Sequence, residues 1–258
     1  MGKEKYKYIY GPVPSWRLGS SLGVDPISKS KKICSFDCVY CQLGEGKFLT
    51  AERQIFIPEV EIIREINLLP DLQIDYITFS GTGEPTLAKN LGRMIKAVKK
   101  IRREKIAVLT NSSLINREDV QKDLSLADFV VAKLDAVSQE VFEEVNKPLK
   151  GTKIRDIIKS IKDFRGFCKG KLALQIMFIE KNRQEAEKIA NISRQINPDE
   201  VQINTPLRPC AVKPLSKQEL DEIKKHFKGL NVVSVYEAEK KKVEPVSDED
   251  TLKRRGKV

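Results

Sequence analysis

Ile33-Cys34-Ser35-Phe36-Asp37-Cys38-Val39-Tyr40-Cys41 sets three cysteines at a C-x3-C-x2-C spacing, with an aromatic residue directly before the last. A short loop of that spacing can wrap three thiolates around three corners of a cubane iron–sulfur cluster. The fourth iron then has no protein ligand and is open to another molecule. Structural zinc is the competing reading, but a tetrahedral zinc site asks for a fourth Cys or His. Only Cys168, Cys210 and His226 are left in the chain, and none forms a second close pair with another ligand. Inert core thiols are the other alternative.

Outward from this loop, short β-rich runs alternate with amphipathic helical stretches. A strand around Ser21 to Ile27 leads into the cysteines, and a helix from Pro58 to Leu69 follows, opening on a proline whose missing N–H costs nothing there. Strands are then predicted at Asp75–Ser80, Ile106–Asn111, Phe129–Asp135, Lys171–Ile179 and Glu200–Asn204. Helices are predicted at Lys89–Ile101, Arg117–Leu124, Ser138–Asn146, Lys153–Phe164, Arg183–Ile196 and Lys217–Phe227. Val232–Tyr236 reads as an edge strand. This alternation implies right-handed crossovers and a parallel sheet, an α/β fold. In parallel barrels functional groups gather at the carboxyl ends of strands. The cysteine loop follows the first strand, Gly81 to Pro85 the second, Asn111 and Ser112 close the third, and Asp135 closes the fourth.

Thr78-Phe79-Ser80-Gly81-Thr82-Gly83-Glu84-Pro85-Thr86 is the second informative run. Together with the cysteine loop it resembles the radical S-adenosylmethionine (SAM) superfamily. The resemblance implies a partial (β/α)6 TIM-like barrel, a [4Fe-4S] cluster on Cys34, Cys38 and Cys41, and SAM chelated by the open iron. It further implies reductive cleavage of the sulfonium to a 5′-deoxyadenosyl radical that abstracts a substrate hydrogen, with the protein supplying orientation and exclusion of water. Backbone at Gly81 and Gly83 would approach the methionine, Glu84 would bond its ammonium or shape the loop, and Pro85 would stiffen the turn. Tyr40 would lie beside the adenine.

Lys133 and Asp135 alternate to one side of their strand. The resemblance assigns such a pair to SAM contacts, and a structural ion pair is the alternative. Asn111 and Ser112 offer neutral hydrogen bonds for a carboxylate or ribose. Gln175 with Met177, and Gln202 with Asn204, put polar groups on one face of apolar strands, facing the ligand or ordering a polar interior. The run Gly11-Pro12-Val13-Pro14-Ser15-Trp16-Arg17-Leu18-Gly19, with Lys133-Leu134-Asp135-Ala136 and Gln202-Ile203-Asn204-Thr205-Pro206-Leu207-Arg208-Pro209, is similar to a branch related to the wyosine enzymes that modify transfer RNA. Arg17 and Arg208 are candidate anion-binding groups. Archaeal wyosine enzymes carry a second cysteine set before the radical loop, whereas no cysteine precedes Cys34 here.

At 258 residues with 32% charged and 40% hydrophobic residues, the chain suits one globular domain. No apolar run is long enough to span a membrane and no signal pattern opens the chain. Five cysteines, unevenly spaced, do not make a disulfide framework, so a reducing cytoplasm is expected. The net charge of +11 favours a polyanionic partner such as RNA. Residues 1–236 are expected to form the barrel and 237–258 a charged, flexible tail, with a basic arm that orders on RNA as the sharper reading. The expected partners are a reductant of the ferredoxin or flavodoxin type and transfer RNA, with the chain a monomer. Two alternatives stand beside RNA modification: a radical enzyme acting on a protein or peptide, and an iron–sulfur protein without turnover.

Overall fold

The computed structural model describes residues 6–44, 48–239 and 241–255, the side chains of 253 and 255 excepted. Eight strands form one sheet and two short ones a separate ribbon. In chain order they are β1 (Ile9–Ser15), β2 (Gly19–Val24), β3 (Ile33–Cys34), β4 (Phe48–Leu49), β5 (Tyr76–Phe79), β6 (Lys105–Thr110), β7 (Phe129–Lys133), β8 (Lys171–Met177), β9 (Glu200–Asn204) and β10 (Val232–Ser234). The helices are α1 (Glu59–Asn67), α2 (Leu91–Ile101), α3 (Glu118–Leu124), α4 (Gln139–Asn146), α5 (Ile154–Arg165), α6 (Ala186–Ile196), α7 (Lys217–Lys225) and α8 (Asp248–Arg255). The sheet runs β1-β2-β5-β6-β7-β8-β9-β10. All its neighbours are parallel except β1 with β2, and β3 pairs with β4 as the ribbon. This is the expected α/β partial TIM-like barrel.

Period-2 alternation sorts the side chains. Outward residues such as Ile106, Val108, Val130, Leu172 and Leu174 join the large core under the helices. Leu18, Ala107, Phe129, Val131 and Ala173 fill the inside, nearer the amino ends of the strands. Helix α2 buries Leu91, Met94, Ile95 and Val98, the i, i+3, i+4, i+7 stripe that packs a helix on a sheet. Helix α7 starts on a capping box between Ser216 and Glu219.

Besides the short β3–β4 ribbon, which the sequence reading did not include, two segments differ from it. Strand β1 was not expected, because Gly11, Pro12 and Pro14 break a central strand. At the sheet edge they are tolerated, and the register with β2 slips between Tyr10 and Val13. The described part of the tail packs on the sheet edge. Residues 248–255 form α8, packed along β1, with Val246 N donating to Gly11 O at 2.7 Å and Gly11 N to Thr251 Oγ1 at 3.1 Å. The edge backbone at the slip is thus satisfied by the tail. The charges that argued for flexibility are partly consumed inside: Arg254 is buried against Asp25 and Asp250 at 3.3 and 3.4 Å. The basic arm expected to order on RNA has two basic runs, residues 240–242 and 253–255; Lys240 and the side chains of Lys253 and Arg255 lie outside the described residues, and Lys241 pairs with Asp75 at 2.6 Å.

Candidate active site

The cysteine loop leaves β3 at the carboxyl end of the barrel and is laced to both sides. On one side Ile33 N donates to Thr82 O (3.2 Å) and Glu84 N to Ile33 O (3.1 Å). A Cβ on Gly83 would lie 1.8 Å from Ile33 O, and one on Gly81 (φ +146°) would lie 2.3 Å from Asp25 Cγ. Both glycines are therefore required by the protein's own close packing, before any ligand is considered. On the other side Asp37 N donates to Asn146 O and Val39 N to Val145 O, each at 3.0 Å, tying the loop to the end of α4. Phe36 packs edge-on against Phe142 of that helix at 5.3 Å.

Glu84 is buried without a cationic partner among its hydrogen bonds. Its Oε1 accepts from Thr86 N (3.1 Å), Thr86 Oγ1 and Thr110 Oγ1 (2.7 Å each), and Oε2 from Asn111 N (2.7 Å). Burial raises its pKa against these four donors. These bonds tie the glycine-rich loop to the end of β6. Glu84→Gln puts an amide NH2 against a backbone N–H in either orientation. The expected result is a loss of about 1–3 kcal/mol, read as a lower Tm, with the cysteine loop losing its stop at Asn111.

Asn111 turns its side chain toward the cysteines, with Nδ2 3.5 Å from Cys34 Sγ and 2.8 Å from Ser35 Oγ. Ser112 is buried and donates to Lys133 O at 3.0 Å, behind the site. Asp135 accepts from Met177 N (2.7 Å), Asn146 Nδ2 (2.7 Å) and the Tyr40 hydroxyl, while Lys133 Nζ lies 3.7 Å away and 4.9 Å from the Tyr40 ring centre. Asp135 thus ties the cysteine loop to the ends of β7 and β8 through Tyr40. Burial, then the Asp135 charge, pushes the Tyr40 hydroxyl well above its ordinary pKa.

The thiols are free. Burial pushes Cys34 up to about 12, with the charges of Glu84 and Cys38 adding to it, and burial also raises Cys38. Such thiols keep their protons at neutral pH until a metal displaces them. Lys32, buried before the loop, pairs with Asp37 at 2.9 Å. Burial opposes its charge, but Cys41, Asp37 and Cys34 leave its pKa raised.

A cavity of ≈ 830 Å³ opens beside the loop. Tyr40, Cys41, Gln175, Met177 and Asn204 line it, as do Trp16, Arg17 and Arg208. Gly81, Gly83, Glu84, Pro85, Asn111, Ser112, Lys133 and Asp135 do not. Sequence reasoning missed Pro245, Asp248, Thr251 and Leu252, which wall the cavity from the tail and α8. It also missed Asp25 and Asn146. Asp25 accepts from Ile27 N, Ser28 N, Thr82 N and Thr82 Oγ1 at 2.9–3.1 Å. An acid ending an otherwise small and apolar strand was the available signal for it.

The radical SAM superfamily model matches residues 30–192, and the chain belongs to that superfamily and is a radical SAM enzyme. Within it, the chain is a member of the UPF0026 group: it is 43% identical over 211 residues to UPF0026 protein slr1464 of Synechocystis, covering 81% of this chain and 78% of the relative. It is 37% identical over 223 residues to UPF0026 protein MJ1312 of Methanocaldococcus jannaschii, covering 84% and 68%. Among solved structures, TYW1 with a lysine–pyruvate adduct superposes with a TM-score of 0.64 at 14% identity, covering 90% of this chain and 78% of that one. SuiB of Streptococcus suis bound to S-adenosylmethionine gives 0.63 at 16% identity over 84% of this chain, which spans only 50% of SuiB. At such identities the likeness is one of fold.

The superfamily implies a [4Fe-4S] cluster and SAM. Among the described residues no three His, Cys, Asp or Glu groups converge on one ion. A cubane does not require that, because each thiolate binds a different iron. The donor set is three thiols on one loop, with a carboxamide N–H beside two of the sulfurs. The residues fit the cluster.

Proposed function

We propose that Cys34, Cys38 and Cys41 hold the cluster and that the chain modifies an RNA base, with transfer RNA the substrate class. When bound, the cluster and SAM supply a one-electron cleavage that leaves a 5′-deoxyadenosyl group able to take a hydrogen atom. The protein's part is positional. Gln175, Met177 and Asn204 present two amides and a thioether to the cavity from β8 and β9. Tyr40, held by Asp135, closes the side next to Cys41.

The observation that carries the RNA reading is the cavity wall. The Arg17 guanidinium lies 4.9 Å from the Trp16 ring centre, and Arg208 bonds Gln42 at 2.5 Å, so two cations and an aromatic face surround an apolar cleft. Base stacking on an aromatic with phosphate held by arginine is the usual chemistry of RNA recognition, and the net charge of +11 suits it. A peptide substrate is the second reading. It is favoured by Leu207 and Leu252, 44% and 48% exposed on the cavity lining, and SuiB has a structure with its precursor peptide SuiA. A ferredoxin- or flavodoxin-type reductant and a monomeric chain in a reducing cytoplasm complete the proposal. Among the described residues no helix is long and apolar enough to cross a membrane.

The test is anaerobic reconstitution, dithionite and SAM, with 5′-deoxyadenosine measured with and without bulk transfer RNA. Product is expected to rise with RNA and to vanish in Cys38→Ala. Product indifferent to RNA would move the assignment to peptides.

A further inference from the structure

We propose that Asn146 and Asn111 are positioning residues that raise the reduction potential of the cluster, each by aiming a carboxamide N–H at a cysteine sulfur. The inference rests on the cluster reading above. The contacts are Asn146 Nδ2 to Cys38 Sγ at 3.4 Å and Asn111 Nδ2 to Cys34 Sγ at 3.5 Å.

Neither amide is free to turn over. The Asn111 oxygen accepts from Ser113 N at 2.9 Å, which leaves its NH2 facing Cys34 and Ser35. The Asn146 nitrogen lies 2.7 Å from Asp135 Oδ2, and an ionised carboxylate only accepts. Tyr40 gives its own hydrogen to Asp135, so its oxygen, 3.0 Å from Asn146 Nδ2, is an acceptor too. One amide hydrogen goes to Asp135, and the other lies between the Tyr40 oxygen and Cys38 Sγ. The two donors come from different elements, the end of β6 and the end of α4.

Reduction adds an electron whose charge spreads onto the sulfurs, and hydrogen bonds to those sulfurs favour the reduced form. The need for such donors is visible in the surroundings. The buried Glu84 carboxylate accepts from the backbone of Asn111, the residue whose side chain reaches Cys34, and the buried Asp135 carboxylate shares Asn146 Nδ2 with Cys38. Two buried negative charges beside the sulfurs push the potential down. The two amides offset them, and Lys32, buried just ahead of the loop and paired with Asp37 at 2.9 Å, brings a positive charge to the same loop.

The experiment is an EPR-monitored redox titration of the reconstituted holoenzyme without SAM, in the wild type, Asn146→Ala and Asn111→Ala. Each variant is expected to titrate at lower potential, its reduced-to-oxidised ratio at a fixed potential falling about tenfold, or ~59 mV for one electron. In parallel, wild-type protein labelled only with 15N-asparagine is examined by pulsed EPR, which requires no variant to fold. A 15N coupling to the reduced cluster is expected from the side-chain nitrogens, and its loss in each variant assigns it. Unchanged potentials in variants with full iron and sulfide content, or no asparagine coupling in the wild type, would overturn the proposal. Failure of the wild type to take up iron and sulfide would instead defeat the cluster reading beneath it.

Discussion

Gly83→Ala is expected to unseat the cysteine loop. The new methyl would lie 1.8 Å from Ile33 O and 2.9 Å from Ile27 Cδ1. The first neighbour is backbone and cannot swing aside. Relief requires β3 to move off the glycine-rich loop, breaking the Ile33 N to Thr82 O and Glu84 N to Ile33 O bonds together. Overpacking costs about 1–3 kcal/mol, and buried backbone groups left unpaired cost a similar amount each. A total of about 3 kcal/mol lowers Tm by roughly 10 °C in a chain of this size. Cys34 is the next residue, so iron content after reconstitution is expected to fall with it. Gly166→Ala, at a helix end where the added Cβ meets only Asp163 O at 3.3 Å, is the control and is expected to load normally. A Gly83→Ala protein with wild-type Tm and iron content would show that the loop does not depend on this approach.

Arg254→Met is expected to release α8 and loosen the glycine-rich loop at once. The side chain is fully buried, pairs with Asp25 and Asp250, and donates to Ser28 Oγ at 2.9 Å and to Lys7 O. Removing one member of a buried ion pair costs about 3–5 kcal/mol. The lower end applies, because Asp25 keeps its four N–H and O–H donors. Hydrogen exchange is expected to speed up in residues 246–255 and at the Thr82 amide, which Asp25 holds at 3.1 Å. Faster exchange confined to α8 would mean that Asp25 holds Thr82 without help from the helix.

The elements that carry a single strong period were legible in the sequence. Helix α5, with Ile154, Ile157, Ile161 and Phe164 inward, and β7, which splits Val130 from Val131 between two apolar clusters, fall where expected. The ends shift by a residue or two because caps, unlike stripes, depend on tertiary partners. Strand β1 was hidden because its prolines are permitted only at an edge, and a sequence does not announce which strand is outermost. Helix α8 was hidden by reading charge as solvation. Its order of charges, Asp248-Glu249-Asp250 followed by Lys253-Arg254-Arg255, is nevertheless the one a helix dipole favours. In the site, the cysteines were readable from spacing. What each polar residue faces was not: Asn111, Asp135 and Glu84 could each serve ligand or scaffold, and their protein partners depend on tertiary contacts that no local pattern encodes.

The bond from Gly11 N to Thr251 Oγ1 joins residues 240 apart in the chain. At a synthesis rate of roughly 5–20 residues per second, the two sides of that contact emerge from the ribosome roughly 10–50 s apart. Contacts of such separation also pay the largest loop-closure entropy and form late. The cysteine loop is thus translated and can find its neighbours long before the wall at Pro245 to Leu252 exists. The cavity beside Cys41 therefore keeps one side open until the last residues of the chain have been made and folded back.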